Sequence, residues 1–363
     1  MTLLLFILVL AVLIFVHELG HFIAAKRAGV RVDEFALGFP PRIFSWKRGE
    51  TRYSLNLIPM GGYVKILGED PWNEDTEIND PRRSLMHQTK WVQARVLAAG
   101  VFFNFLFAWL LISFSFVWGQ PASVGEEKAY AVRDARITIT NVLSSSPAEG
   151  AGLSAGDALL SLSSGGKTLV DNFSVANVQN FINESASPIQ IAVLRGTERR
   201  TVTVSPQSGI VADRRAIGVA MDLIGTLKLP IHEALWRGLT TSVFLVGAVV
   251  KSFWDFFGGV FSGTGGFGEI SGPVGIAGLI GASAHLGFSY FLSFVAVISI
   301  NLAVLNLIPF PALDGGRLLF ILIEAIKGSP IPPKVARVLN IGGFAFLLLL
   351  MVLVTYHDIW KML

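Results

Sequence analysis

Three side chains able to bind or activate a reactant, His17, Glu18 and His21, fall within VHELGHF, inside the otherwise lipid-soluble run MTLLLFILVLAVLIFVHELGHFIAA. On a helix, positions i and i+4 share a face, so His17 and His21 present two imidazoles to one ion about 2 Å from each. Glu18 lies beside them, where a carboxylate can take a proton from water activated at the ion without being a ligand itself. That is the division of labour in helical HExxH zinc sites. A lone histidine in such a run could be an interhelical polar contact. Ionisable groups in a span are costly enough that three on one turn point to function.

The chain has no cysteine, so a catalytic metal would have to use nitrogen and oxygen ligands. Two histidines need a third partner to hold zinc while leaving a position for water. The best candidate is Asp314 in NLIPFPALDGGR, residues 306–317. Prolines break the preceding helix, and Gly315-Gly316 let the backbone turn inward and carry a carboxylate to membrane depth. In isolation Asp314 could equally be a helix cap in a cytoplasmic turn.

The elements that must position these residues are membrane spans. With 363 residues, 52% of them hydrophobic, and a mean hydropathy of +0.59, the chain reads as a polytopic membrane protein. A net charge of +3 without a Lys/Arg block suits anchoring loops and gives no basis for a nucleic-acid partner. Four segments, roughly 3–25, 96–118, 290–309 and 339–356, can each cross about 30 Å of hydrocarbon. The first lacks the basic start of a cleavable signal peptide. Basic residues between Arg31 and Arg95, and Arg317, Lys327, Lys334 and Arg337, put those connections on the cytoplasmic side.

Residues 231–261 are interrupted by Arg237, Lys251 and Asp255 and read as an interfacial amphipathic helix. Depth links this to the metal site. His17 and His21 lie about 22–27 Å in from the outer surface, and a third span running inwards brings Asp314 to a similar level. If 231–261 crossed, Asp314 would end roughly 20 Å away at the opposite face.

Between the second and third spans, ITITNVL, IQIAVLR and RTVTVSP read as strands and VANVQNFINES as a helix, a small α+β module. The domains expected are 1–118, an N-terminal membrane half; 119–225, the module; 226–289, the interfacial helix and linker; and 290–363, a C-terminal membrane half. Within the first, Arg42–Trp46 and Thr51–Leu57 alternate about a turn at Lys47–Glu50, a hairpin. His87, His232, His285 and His357 have no partner pattern and read as structural or interfacial.

In the module, Ser146–Ala148, Ala151–Leu153 and Gly156-Asp157 resemble the SPA, AGL and GD pattern of circularly permuted PDZ domains, which take extended peptide ends by strand addition. HELGH with NLIPFPALDGG, together with LIPMGGYVKILGE (57–69), RVLAAGVFFNFLFA (95–108) and SGPVGIA (271–277), resembles the site-2 protease family of intramembrane zinc metalloproteases over nearly the whole chain. The similarity is to the bacterial regulator of sigma-E protease type. The resemblance implies His17, His21 and Asp314 as Zn2+ ligands, Glu18 as catalytic base and Asn306 as a substrate-backbone contact. It also implies a hairpin that dips into the lipid bilayer and pairs with unwound substrate. The expected substrates are single-pass transmembrane proteins, anti-sigma factors or remnant signal peptides, cut in the bacterial cytoplasmic (inner) membrane, with the PDZ-like domain extracytoplasmic.

The chain departs from the family in having one evident PDZ domain where the sigma-E protease has two. Val101 also stands where proline is common, and Pro40 where glycine is usual. The fold expected is an α-helical polytopic protein of about four transmembrane helices, with a membrane-associated β-hairpin and an inserted α+β PDZ-like domain. Two other functions compete. A non-catalytic PDZ-bearing scaffold with a vestigial metal site would not need Glu18. A metal transporter would need polar residues strung along a pathway, and the spans carry one cluster.

Overall fold

The computed structural model describes residues 2–69, 80–124, 132–170, 173–196, 198–211, 214–262 and 272–362. In chain order the elements are α1 (Thr2–Arg27), β1 (Val32–Arg48), β2 (Thr51–Ile66), α2 (Lys90–Trp118), β3 (Gln120–Ser123), β4 (Val132–Val142), α3 (Pro147–Gly150), β5 (Ala158–Ser164), β6 (Lys167–Leu169), α4 (Val175–Glu184), β7 (Ile189–Arg195), β8 (Glu198–Val204), β9 (Gln207–Val211), β10 (Arg214–Ala216), β11 (Val219–Leu227), α5 (Ile231–Ser262), α6 (Pro273–Leu286), α7 (Phe288–Leu307), α8 (Asp314–Lys327) and α9 (Pro333–Met362).

Among the described residues, five helices are long and apolar enough to cross a membrane: Thr2–Arg27, Lys90–Trp118, Ile231–Phe256, Phe288–Leu307 and Pro333–Lys361. The protein is thus a polytopic membrane protein with a separate β-rich unit. Four of these helices match the expected spans; the fifth, Ile231–Phe256, falls in the 231–261 stretch whose charges suggest an interfacial helix. Arg237, Lys251 and Asp255 all lie within α5 without breaking it, Lys251 and Asp255 exposed and Arg237 half-buried; Arg and Lys can lay their apolar stems along a helix and keep the charge at its surface.

The chain divides into two compact units. One comprises Met1–Ile112, Leu235–Gly281 and Ser293–Leu363; the other comprises Ser113–Ala234 and Ala282–Leu292.

In the first unit, β1 and β2 form more than a simple hairpin. The inner arms pair as expected, Lys47 with Arg52 and Trp46 with Tyr53, but Phe35 pairs with both Tyr53 and Val64, and Leu37 with both Leu55 and Gly62. Both strands bend back, so that 34–37 lies between 52–55 and 62–65. One end of this sheet is fixed by burial of Val32, Phe35, Val64 and Ile66 with Ala25 of α1 and Val96 of α2. The rest presents Phe39, Ile43, Phe44, Trp46, Leu57 and Ile58 outward.

The second unit holds an antiparallel sheet of order β3-β11-β4-β5-β7-β8, with β6 beside β5. Alternate residues Ile137 and Ile139, and Ile189, Ile191 and Val193, point into a core completed by Leu153, Leu162 and α4's Val178 and Ile182. This is the period-two burial of a sheet with one covered face. The fully buried Asp157 of the GD pair is satisfied by Arg195, whose Nε and Nη2 donate to its two carboxylate oxygens at 2.6 and 2.7 Å. That aspartate is therefore structural.

Candidate metal centre

Helical spacing puts His17 and His21 one turn apart on α1, at 8% and 7% exposure, and α2 packs across them. The approach depends on two glycines. A Cβ at Gly20 would lie 2.4 Å from the Ala99 carbonyl oxygen, and one at Gly100 would lie 2.3 Å from His21 Nε2 and 2.7 Å from His17 Cε1. Small residues at a crossing let helix backbones approach closely in membranes. Here they also leave the imidazoles room.

Asp314 reaches the same place from α8. The chain leaves α7 at Leu307, turns through Pro309 and Pro311, and re-enters helix at Asp314. A Cβ at Gly315 would strike the Ile308 and Leu307 carbonyl oxygens at 2.2 and 2.3 Å, so no other residue fits this turn. Ala312 adopts φ +76°, and its backbone N–H donates to Asn340 Oδ1 on α9 at 2.9 Å. Opening a helix with a carboxylate also suits the partial positive charge of its N-terminus.

The result is a nearly equilateral triangle of ligand atoms. His17 Nε2 and His21 Nε2 are 3.2 Å apart, and Asp314 Oδ2 lies 3.1 Å from the first and 3.3 Å from the second. Three ligands of a tetrahedral zinc at bond lengths of 2.0–2.1 Å are separated by about 3.3 Å. Asp314 Oδ2 is buried without a hydrogen bond of acceptable geometry. His21 Nδ1 lies 2.9 Å from the Val96 carbonyl oxygen, a contact that requires the proton on Nδ1 and, in the neutral ring, leaves Nε2 as a bare lone pair able to ligate. Two imidazole nitrogens and a carboxylate oxygen aimed at one point are a donor set for a cation of zinc's kind.

Glu18 is half-buried on the same turn and, with the triad, lines a cavity of about 520 Å³. Tyr63 and Val64 of β2, Glu69, Arg317 and Asn340 form other parts of its wall. Arg317 pairs with Glu69 by a short contact between Nη1 and Oε1. Asn306 sits on the last turn of α7, half-buried, and is not among the residues lining this cavity. His87, His232, His285 and His357 also lie outside its wall. Gly20, Gly100, Asn104 and Asn340 are not singled out by sequence pattern, although Gly20 lies within HELGH and Gly100 and Asn104 within RVLAAGVFFNFLFA.

The sequence model of peptidase family M50 matches residues 5–350. A Clostridium perfringens protein whose name marks it as a candidate zinc metalloprotease is 34% identical over 97% of each chain. The zinc metalloprotease RasP of Geobacillus kaustophilus is 28% identical over 98% of this chain and 97% of its own. The regulator of sigma-W protease RasP of Bacillus subtilis is 28% identical over 99% of each.

Proposed function

Because the chain belongs to peptidase family M50 and is a zinc metalloprotease of the membrane, we propose that it hydrolyses peptide bonds inside the transmembrane segments of single-pass proteins. In this reading His17, His21 and Asp314 hold the zinc, Glu18 is the catalytic base and Asn306 contacts the substrate backbone. The observation that carries it is the triangle of donors beside Glu18, on a cavity wall within a helix long and apolar enough to span.

When bound, zinc supplies Lewis acidity that brings the pKa of a water towards about 7 and stabilises negative charge developing on the carbonyl oxygen. Glu18 takes the proton from the attacking water and returns it to the leaving amine. The substrate presents its own obstacle, since a transmembrane helix hides its carbonyls in internal hydrogen bonds whose loss in lipid costs several kcal/mol per group. Residues 62–65, the outer lane of the β1/β2 sheet, supply replacements. Tyr63 and Val64 line the cavity, and among the described residues no further strand pairs beyond them. An unwound segment adding there would meet backbone partners beside Glu18. The exposed Phe39, Phe44, Trp46 and Leu57 suit a sheet that dips into the bilayer.

The closed triangle also supports an interfacial α5. The apolar helix α6, at 14 residues, spans only about 21 Å. A crossing α5 would therefore leave α7 running the wrong way to bring Asp314 to the histidines. The basic residues between Arg31 and Arg95 keep the α1–α2 connection cytoplasmic, so the β-rich unit, which follows α2, faces the extracytoplasmic side of a bacterial inner membrane.

That unit acts as the PDZ-like selector. Among the described residues, β3 and the Val124 N–H that follows it cover the outer edge of β11 from Leu223 to Leu227. Beside the uncovered Val219–Met221 lies a groove of about 290 Å³, walled by Leu143, α4's Gln179 and Ile182, and Val211 and Arg214 of the β9–β10 hairpin. An extended peptide end fits such an edge. The proposed substrates are anti-sigma factors or remnant signal peptides already trimmed on the outside; the name of the Bacillus subtilis relative, regulator of sigma-W protease RasP, bears on the first of these alone.

Glu18→Gln tests the reading. The variant should keep zinc and lose about 10²–10⁴-fold in cleavage of a reporter transmembrane peptide in proteoliposomes. Cleavage at the parental rate would remove Glu18 as base. Membrane peptides that accumulate in cells carrying the variant would identify the substrates.

A further inference from the structure

His17 and His21 are oriented differently, and the difference singles out a buried amide. His21 has a backbone carbonyl, Val96, at its Nδ1. His17 has instead the side chain of Asn104, whose Nδ2 lies 3.3 Å from His17 Nδ1. In that arrangement His17 Nδ1 accepts and the proton sits on Nε2, the nitrogen that faces Asp314 at 3.1 Å. To ligate through Nε2, His17 must carry the proton on Nδ1, and a buried N–H needs an acceptor. Asn104 Oδ1 is within the same amide, and Asn104 is 0% exposed with that oxygen lacking any hydrogen-bond partner.

The backbone at Asn104 is held independently, since the fully buried Ser299 of α7 donates from Oγ to the Asn104 carbonyl oxygen at 2.8 Å. The amide can therefore turn about its last torsion without moving the helix. Such a turn exchanges donor for acceptor at one place.

Resting on the ligand set proposed above, the geometry points to Asn104 as the positioning residue that selects the His17 tautomer. It donates from Nδ2 when Nε2 carries the proton, and accepts at Oδ1 when Nε2 binds the metal. Outer partners of ligating histidines are worth about 10–100-fold in metal affinity.

The test is zinc affinity, measured on the detergent-solubilised full chain by competition with a chromophoric chelator. Thermal unfolding of the metal-free forms is followed in parallel. Asn104→Leu, similar in size but with no acceptor, should bind zinc about 10–100-fold more weakly while unfolding near the parental temperature. Asn104→Asp, which restores an acceptor, should recover most of that loss. Zinc held by Asn104→Leu as tightly as by the parent would overturn the proposal, as would an equal loss in Asn104→Asp. His17→Ala tests the ligand set separately: zinc retained at parental affinity there would remove His17 as a ligand, whatever Asn104 does.

Discussion

The metal centre and the β-rich unit's groove solve opposite problems. At the metal centre, donor atoms from α1 and α8 lie within 3.1–3.3 Å of one another, and the adjoining backbone is packed so closely that a single methyl group at Gly100 would overlap two imidazoles. At the groove, apolar side chains lie beside a strand edge that no described residue covers at Val219–Met221, with Leu143 55% and Val211 41% exposed. Chemistry requires fixed distances, because a ligand displaced by 1 Å no longer binds. Selection among peptides requires only shape and an edge with unused backbone groups. A small change should therefore destroy metal binding at the first and only weaken the peptide selection proposed for the second.

Gly100→Ala breaks the comparison at its rigid end and carries the largest effect. The new Cβ, 2.3 Å from His21 Nε2, must push the imidazoles or the helices apart, so bound zinc should fall below one-tenth of the parental content and proteolysis should be lost with it. Metal analysis of the purified variant checks this. Overpacking also costs about 1–3 kcal/mol of stability, which unfolding of the metal-free protein would reveal.

Leu143→Glu sharpens the comparison from the other side. A carboxylate on the groove wall should repel a peptide's terminal carboxylate and lower its affinity about tenfold, or about 1.4 kcal/mol. Zinc content and cleavage of a short transmembrane peptide without an outer portion should not change. Equal losses for substrates with and without that portion would show that the groove takes no part in selection.

The two regions also differed in how far they could be read from sequence. His17, Glu18 and His21 are legible because one helical turn places them, and Asp314 because prolines and glycines mark where a helix must break. Asn104 and Asn340 act on residues 87 and 28 positions away, a distance that no local pattern encodes. The strands ITITNVL and IQIAVLR show in the period-two burial of their isoleucines. The four-lane form of the β1/β2 sheet does not, because it depends on Phe35 and Leu37 each having partners on both sides. Helix α6 falls in the stretch expected to be linker, since a short apolar run without polar periodicity carries no helical signature.

Asn340→Ala probes how the rigid end is held in place. Losing the amide oxygen that accepts the Ala312 N–H leaves a left-handed non-glycine residue unsupported, a conformation that costs of order 1–3 kcal/mol. Zinc affinity should fall several-fold through looser placement of Asp314. Ala312→Gly in the same background should restore part of it, because glycine adopts that backbone freely.

The smallest effect lies at the turn that ties the β1/β2 sheet to α1. Glu50 Oε1 accepts from Lys26 Nζ at 2.6 Å and Arg83 Nη2 at 2.7 Å, and these hydrogen bonds hold its carboxyl below the usual carboxylate range. A depressed folded-state pKa contributes stability that is fully present above the unfolded value and is lost as pH falls through the folded one. Glu50→Gln should therefore lower the unfolding temperature slightly at neutral pH, and the gap from the parent should close on acidification. At about a third exposure screening keeps the effect modest. A gap that widened in acid would mean that the carboxylate destabilises the turn, and that the sheet is held to α1 by its apolar contacts alone.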